Sequence, residues 1–338
     1  MPELPEVETM RRGIQPCIGM RIDDIELVAS PRRPIKIAPR RGVLTQRVTG
    51  ATIVGTDRAG KRVVLLLDTG DRLVFEPRMT GLVLLADPPT QEHLRMRLRL
   101  GHGRGVKGRT KPERQGKDKV RSTQYRVRST KYSASSTPYP VLGTENSVLS
   151  TRYSSPRNGA TELLYWDRRG LGSVRLMTPS EFAVAFSADR LGPDALGTTA
   201  DMLCERLGAS RRAIKVALLD QRGVAGIGNL YASEILHRAE IHPAISCRRL
   251  KLDHWQRIAA ATRRILAAAI RYEGSTLSDG TYRNALNQSG SYQNHHRVYD
   301  RAGELCTRCR KHKVRRIVQA QRSTFFCPGC QRLRTAGA

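Results

Sequence analysis

The sequence predicts an α+β protein, β-rich in its N-terminal part and helical in its C-terminal part, with a zinc ribbon at the end. Three observations carry this. Between residues 20 and 100, apolar side chains recur with period two. From Thr178 onward they recur at helical spacing. Finally, Cys306-x-x-Cys309 and Cys327-x-x-Cys330 set four thiols on two knuckles. At 338 residues the chain can bury more than one core. The expected divisions are 1–178, 179–300 and 301–338.

The chain opens Met1-Pro-Glu-Leu-Pro-Glu-Val-Glu8. Pro5 suits the first turn of a helix, and Glu6 and Glu8 suit its positive end. Initiator methionine is removed when a small residue follows, which would leave Pro2 as the N-terminus. An α-amino group titrates near ~8, so much of it is neutral and nucleophilic around pH 7. Glu3 beside it could supply a proton. The plainer reading is an N-terminal helix with acidic capping.

Strands follow. Arg21–Val28 and Ala51–Arg58 alternate in part, and Lys61–Asp68 and Arg72–Glu76 flank a Thr69-Gly70-Asp71 turn as a hairpin. His93–Leu100 alternates strictly, with His93, Arg95, Arg97 and Arg99 forming an expected basic outer face, solvated or groove-lining. Residues 101–160 then break the pattern. They carry seven-residue units (VRSTQYR, VRSTKYS, ASSTPYP, VLGTENS, VLSTRYS) with too few apolar positions for a coiled coil. Pro138 and Pro140 also oppose helix. This reads as a disordered, functionally neutral insertion into a hairpin that resumes at Glu162–Asp167.

The helical part contains segments at 180–192, 200–207 and 210–221, then Asn229–Ala239 and a long helix from Asp253 to about Glu273 ended by Gly274. Between the third and fourth, Gly223–Gly228 makes a helix–turn–helix hairpin of a DNA-binding type. Gly226 and Gly228 would let backbone approach a ligand, and the helix start at Asn229 could bind phosphate; Asn229 could equally be a plain cap. Val314–Phe326 reads as two strands between the cysteine knuckles. Four thiolates close a tetrahedral zinc site, so one zinc is expected, structural rather than catalytic.

The formal net charge of +29 points to a polyanionic partner, nucleic acid before an anionic membrane. No apolar run approaches the ~20 residues of a membrane span, and no secretory signal is visible. The remaining cysteines, Cys17, Cys204 and Cys247, fit a reducing compartment.

The opening Pro-Glu-Leu-Pro-Glu-Val-Glu-Thr9, the Gly226-Ile-Gly-Asn-Leu-Tyr231 core with Ile241-His-Pro243, and the cysteine ribbon occur in the order found in formamidopyrimidine-DNA glycosylases, which this chain resembles over about 1–100 and 161–335. The resemblance implies an N-terminal β-sandwich with flanking helices, a helix–two-turn–helix domain and a zinc ribbon. It implies excision of oxidised purines (8-oxoguanine, formamidopyrimidines) from damaged double-stranded DNA. Pro2 would be the Schiff-base nucleophile and Glu3 the proton donor. Lys61 and Arg322 would contact phosphates during β- and δ-elimination, and Asn229 would hold a backbone phosphate. Met79, Arg169 and Leu171 would fill the void left by the flipped base. Leu171 stands where the family has an aromatic wedge, and Gly170 where it has an arginine. Gly274–Leu277 and the polar stretch to Gln293 resemble the lesion-capping loop.

The expectation is therefore a base-excision repair glycosylase and AP lyase, a bacterial cytoplasmic monomer working at the nucleoid, with no membrane and no nucleotide cofactor. The alternatives are an endonuclease VIII-like enzyme for oxidised pyrimidines, against which Leu4 and Val7 argue, and a zinc-ribbon DNA-binding protein without catalysis, against which Pro2 and Glu3 argue.

Overall fold

The structure is a computed structural model that describes residues 2–29, 33–102, 161–277 and 280–333. The seven-residue repeats lie outside the described residues. Gly101 and His102 still belong to a strand rather than to the insertion.

In chain order the N-terminal elements are α1 (Leu4–Gly13), β1 (Met20–Leu27), β2 (Lys36–Ala38), α2 (Arg41–Val48), β3 (Ile53–Arg58), β4 (Val63–Leu67), β5 (Arg72–Glu76), β6 (Gly81–Leu84), β7 (Leu94–His102), β8 (Thr161–Asp167) and β9 (Ser173–Met177). They form two sheets. One has the order β1-β7-β8-β6 and the other β2-β9-β5-β4-β3. Pairing is antiparallel except for the edge strand β2, which runs parallel to β9. Between the sheets lies a core that includes Ile22, Leu65, Phe75, Leu98, Leu163 and Tyr165. The expected hairpins are present. β4 pairs with β5, and β7 pairs with β8 with Leu100 opposite Thr161, so residues 103–160 depart from and return to adjacent strand ends.

The helical elements are α3 (Pro179–Ala185), α4 (Ala200–Leu207), α5 (Ile214–Leu218), α6 (Asn229–Ala239) and α7 (Leu252–Arg271). α7 buries Trp255, Ile258, Thr262, Ile265, Leu266 and Ala269 along one stripe, at the 3–4 residue spacing that marks an amphipathic helix. Of these, Trp255, Ile258, Ile265, Leu266 and Ala269 join Tyr231, Ile235 and Leu236 of α6 in a second core. The ribbon is β10 (Arg315–Gln319) and β11 (Arg322–Phe326), antiparallel with Gln319 opposite Arg322.

α1 belongs to both cores. Its Val7, Met10 and Ile14 pack in the sandwich, while Leu4 packs with the helical domain. Each fully buried side chain of this size contributes roughly 1.5–3 kcal/mol. The first turn is thereby fixed from two sides.

Three expectations fail. The helix expected over 180–192 ends at Ala185. The helix expected over 210–221 is only α5, because the N–H groups of Ile214 and Lys215 donate to the carbonyls of Ile245 and Pro243, a bridge that replaces the first helical turns. The basic face of β7 is not one solvated row. His93 and Arg95 are buried, and Arg95 Nε donates to the Asp167 carbonyl at 2.9 Å. Arg97 pairs with Glu26 and Glu162, and Arg99 with Asp24. Acidic residues on the neighbouring strands neutralise that face, which leaves it unsuited to lining a groove for a polyanion.

Candidate active site

The N-terminus of α1 meets the N-terminus of α6. The Leu4 N–H donates to the Gly226 carbonyl at 3.0 Å. The buried Glu3 carboxylate accepts from the backbone N–H groups of Gly228 (2.7 Å), Leu230 (3.0 Å) and Tyr231 (3.4 Å). These are N–H groups that the start of a helix leaves unpaired, and the helix dipole adds to their attraction for an anion. The phosphate-binding helix start expected at Asn229 is thus occupied by the chain's own carboxylate. The glycines are also accounted for differently. Gly226 has φ +105°, and a Cβ there would lie 2.4 Å from Leu4 Cδ1; at Gly228 it would lie 2.3 Å from Glu3 Cδ. They make room for residues 3 and 4. Pro2, directly before, is buried beside this junction.

Glu6 builds a second layer. Its carboxyl accepts from the Tyr231 hydroxyl (2.5 Å), the Ser275 N–H (2.9 Å) and the Glu3 N–H (2.9 Å). Burial, and next the Glu3 charge, push the Glu6 carboxyl above its ordinary range despite these bonds. Ser275 Oγ lies 3.0 Å from His296 Nε2. Thr276 donates its N–H to Gln293 Oε1 at 3.0 Å. The stem of the loop expected to cap a lesion is therefore tied to α1; residues 278 and 279 lie outside the described residues.

Cations surround Glu3. Lys61 and Arg322 act electrostatically on one another, and Glu3 acts on Lys61. Burial lowers the Lys61 ammonium, with Arg322 adding to the effect and Glu3 opposing it. Arg322 is exposed at the tip of the ribbon, beyond the turn at Ala320 and Gln321. Lys215 was missed by sequence reasoning. It is fully buried, and burial followed by Arg322 lowers it to about 8. Its Nζ donates to Asn229 Oδ1 at 2.5 Å, while Asn229 Nδ2 donates to the Ser323 carbonyl at 3.0 Å. Asn229 is therefore not the cap of α6, a place taken by Gly228. The available signal was the adjacency of Lys215 to Ile214 on a face with Ala217 and Leu218.

Met79, Arg169 and Leu171 form a second group. Met79 is 38% exposed on a turn whose Arg78 has φ 53°. Arg169 is exposed and Leu171 half-buried. Their loops are clasped by Thr80, whose hydroxyl donates to Asp167 Oδ1 at 2.5 Å and accepts from the Arg169 N–H at 3.0 Å. Asp167 Oδ2 also accepts from the Gly172 N–H at 2.8 Å. Gly170 has φ +61°, and its missing Cβ would meet the Arg33 carbonyl oxygen at 2.1 Å, so a side chain there would displace the Arg33 segment. Glu76 joins this group to the strand start after Lys61, pairing at 3.1 Å with both Arg62 and Arg78.

The sulfurs of Cys306, Cys309, Cys327 and Cys330 all lie within 4.8 Å of one another, with Cys306–Cys330 at 3.9 Å and Cys309–Cys327 at 3.7 Å. A tetrahedron with Zn–S bonds of ~2.3 Å has edges of ~3.8 Å, so the set fits zinc. With four protein ligands the ion has no open position, which makes it structural. It holds the ribbon that carries Arg322 and Ser323.

Three family models match the chain: "Formamidopyrimidine-DNA glycosylase N-terminal domain" over residues 1–114, "Formamidopyrimidine-DNA glycosylase H2TH domain" over 191–281, and "Zinc finger found in FPG and IleRS" over 303–333. The chain is similar to the formamidopyrimidine-DNA glycosylases of Thermomicrobium roseum (35% identical, covering 98% of this chain and 100% of that one) and Chloroflexus aurantiacus (32%, 98% of each). Among solved structures it resembles a Lactococcus lactis FPG mutant in complex with Fapy-dG-containing DNA, with a TM-score of 0.74, 27% identity and coverage of 98% and 100%. The same enzyme bound to abasic-site DNA gives a TM-score of 0.73. Identity at this level over nearly the whole length, together with a zinc ribbon and a Pro2–Glu3 pair seated on α6, shows that the chain belongs to the formamidopyrimidine-DNA glycosylase family.

Proposed function

We propose that the chain flips oxidised purines, 8-oxoguanine and formamidopyrimidines, out of duplex DNA and removes them through a Schiff base on Pro2. The observation that carries this is Glu3, pinned by α6 beside Pro2, with Lys61 and Lys215 near enough to feel both its charge and that of Arg322. Extrusion costs a few kcal/mol, less at a damaged pair. Met79, Arg169 and Leu171 enter the gap; Leu171 is large enough to wedge a base step. The neutral amine of Pro2 attacks C1′, the base leaves with the bonding electrons and takes a proton from water, and the Pro2 nitrogen gives up its own proton to the Glu3 carboxylate. Glu3 passes that proton to the sugar ring oxygen, the ring opens, and a cationic iminium links Pro2 to C1′. The iminium acidifies the C2′ proton. Its loss expels the 3′ phosphate, and a second elimination expels the 5′ phosphate. Lys61, Asn229 and Arg322 hold the phosphates, and Lys215 orients Asn229.

We further propose that the chain works as a cytoplasmic monomer. Residues 1–178 would be the catalytic unit, 179–300 the helix–two-turn–helix unit and 301–338 the ribbon. Among the described residues no helix is long and apolar enough to cross a membrane. A second substrate class, oxidised pyrimidines, is favoured by one observation: wild-type Lactococcus lactis FPG, 27% identical, was solved with an oxidized-pyrimidine-containing DNA.

Borohydride reduction during turnover tests the chemistry. The covalent protein–DNA adduct should map to an N-terminal peptide starting at Pro2, and Pro2→Gly should bind lesion duplex without forming it. An adduct on a lysine would overturn the assignment. A panel of 8-oxoguanine, formamidopyrimidine and oxidised-pyrimidine duplexes ranks the substrates.

A further inference from the structure

At the far end of α6 from the catalytic junction, roughly 15 Å away by the 1.5 Å rise per residue, lies a cavity of about 330 Å³. Arg238 of α6, Arg257 and Arg264 of α7, Arg297 before the ribbon and Arg308 of the first cysteine knuckle surround it. Ala260 and Ala261 of α7 leave the space open between them. Two of these arginines have local work. Arg257 donates to the Ala239 carbonyl at 2.9 Å, and Arg308 donates to the His237 and Arg238 carbonyls at 3.3 Å, so both satisfy the C-terminus of α6. Both also reach a carboxylate, Asp253 and Glu240 respectively.

Arg238, Arg264 and Arg297 do neither. Among the described residues their guanidinium groups have no hydrogen bond or salt bridge. The nearby Glu234 carboxylate is buried and already accepts the backbone N–H groups of Arg297, Val298 and Tyr299. Burial, then the charges of Arg264, Arg297 and Arg308, push the Arg238 guanidinium below its ordinary value. Three guanidinium groups therefore face one cavity with no carboxylate at salt-bridge distance among the described residues. Helix capping explains Arg257 and Arg308 but gives no reason for the other three. Guanidinium forks match phosphoryl oxygens in geometry and charge.

We propose that this cavity is a second phosphate-binding site, outside the catalytic groove, which takes either a free oligophosphate or the backbone of a second DNA segment. Both sources present the same tetrahedral oxyanion. The site rests on nothing assigned to Pro2 or Glu3, so it can fail while that reading stands, and the reverse.

The test uses the full zinc-loaded protein with its groove filled by a short abasic-analogue duplex. Pyrophosphate is then titrated by calorimetry. Wild type should bind it, and the triple variant Arg238→Gln/Arg264→Gln/Arg297→Gln should bind at least tenfold more weakly. The matching triple Lys variant should retain part of the affinity. Ala260→Glu, which keeps every arginine but puts a carboxylate into the cavity, should abolish binding. A DNA source reads out separately. The slope of log affinity against log salt should fall by about two to three in the triple variant on a long duplex, at about 0.9 per phosphate lost, and not on the short one. Pyrophosphate bound equally by wild type, the triple Gln variant and Ala260→Glu would overturn the proposal. So would no binding in wild type combined with unchanged salt slopes.

Discussion

Gly228→Ala should disable base removal without replacing a proposed catalytic residue or a DNA contact. The backbone there, φ −129° and ψ −160°, is open to alanine, so backbone strain does not enter. The new Cβ would lie 2.3 Å from Glu3 Cδ and 2.5 Å from Oε1. Ordinary carbon contacts need roughly 3.5–4.0 Å, so the Glu3 carboxyl must retreat by more than about 1 Å. That motion breaks the 2.7 Å bond from the Gly228 N–H and loosens the bond from Leu230. A hydrogen bond to a charged group is worth about 1.5–3 kcal/mol, and a misplacement of about 1 Å costs on the order of 10²-fold in rate, or about 2.7 kcal/mol at the barrier. Overpacking itself destabilises by about 1–3 kcal/mol, which lowers Tm by a few degrees in a protein of this size. Single-turnover excision on an 8-oxoguanine duplex should therefore slow about a hundredfold, and affinity for an abasic-analogue duplex should hold within a few-fold. Gly42→Ala in α2, where an added Cβ meets nothing within 4 Å, is the control and should keep the full rate. Excision at the wild-type rate by a folded Gly228→Ala protein would refute the claim that α6 sets the position of Glu3.

Three further outcomes follow from the geometry. Burial would raise Glu8, but Arg11, Arg58 and Arg12 hold it down, from an unperturbed 4.5 to about 2. A depressed carboxyl stabilises the fold above its unfolded value, and that contribution is lost as pH falls through the folded one. Glu8→Gln should therefore cost on the order of 3 kcal/mol at pH 7 and flatten the acid unfolding curve between pH 4.5 and about 2. Cys306→Ala should lose the metal, read by atomic absorption, and weaken DNA binding, because β11 carries Arg322 and the Ser323 carbonyl that holds Asn229. The N-terminal sandwich should keep its cooperative melt. Replacing residues 104–158 with a short Gly-Ser turn should leave lesion cleavage nearly intact, since β7 and β8 already pair up to Leu100 and Thr161, while lowering nonspecific affinity at low salt as basic residues are removed. A large loss of cleavage in a folded protein would show that the repeats matter to the reaction.

Much of this molecule is legible in local chemistry. The cysteine spacing alone specifies a tetrahedral site, and the sulfurs take it up. Alternation along β7 and helical spacing along α7 gave both elements, because Leu94, Met96, Leu98 and Leu100 face one core and α7 buries one stripe. What stayed hidden depends on distant partners. Lys215 reads as an ordinary helix lysine until Asn229 and Ser323 close around it. The glycines before α6 suggest an approach by ligand, and only the fold reveals that Leu4 and Glu3 occupy the space. Arg95 sits in a row of alternating charges, yet Asp167 lies across the sheet to receive it. β2, with three residues, is too short for a periodic signal, and α2 buries only Leu44 and Val48.

Glu3 and the backbone amides that hold it are 225 to 228 positions apart in the chain. On the ribosome, at ~5–20 residues per second, roughly 10–45 s separate the synthesis of the two. During that interval Glu3 has no fixed place. If Pro2 and Glu3 act as proposed, a nascent or truncated chain that lacks α6 would hold the amine without the geometry to use it, and the late-made helix would complete the earliest-made turn.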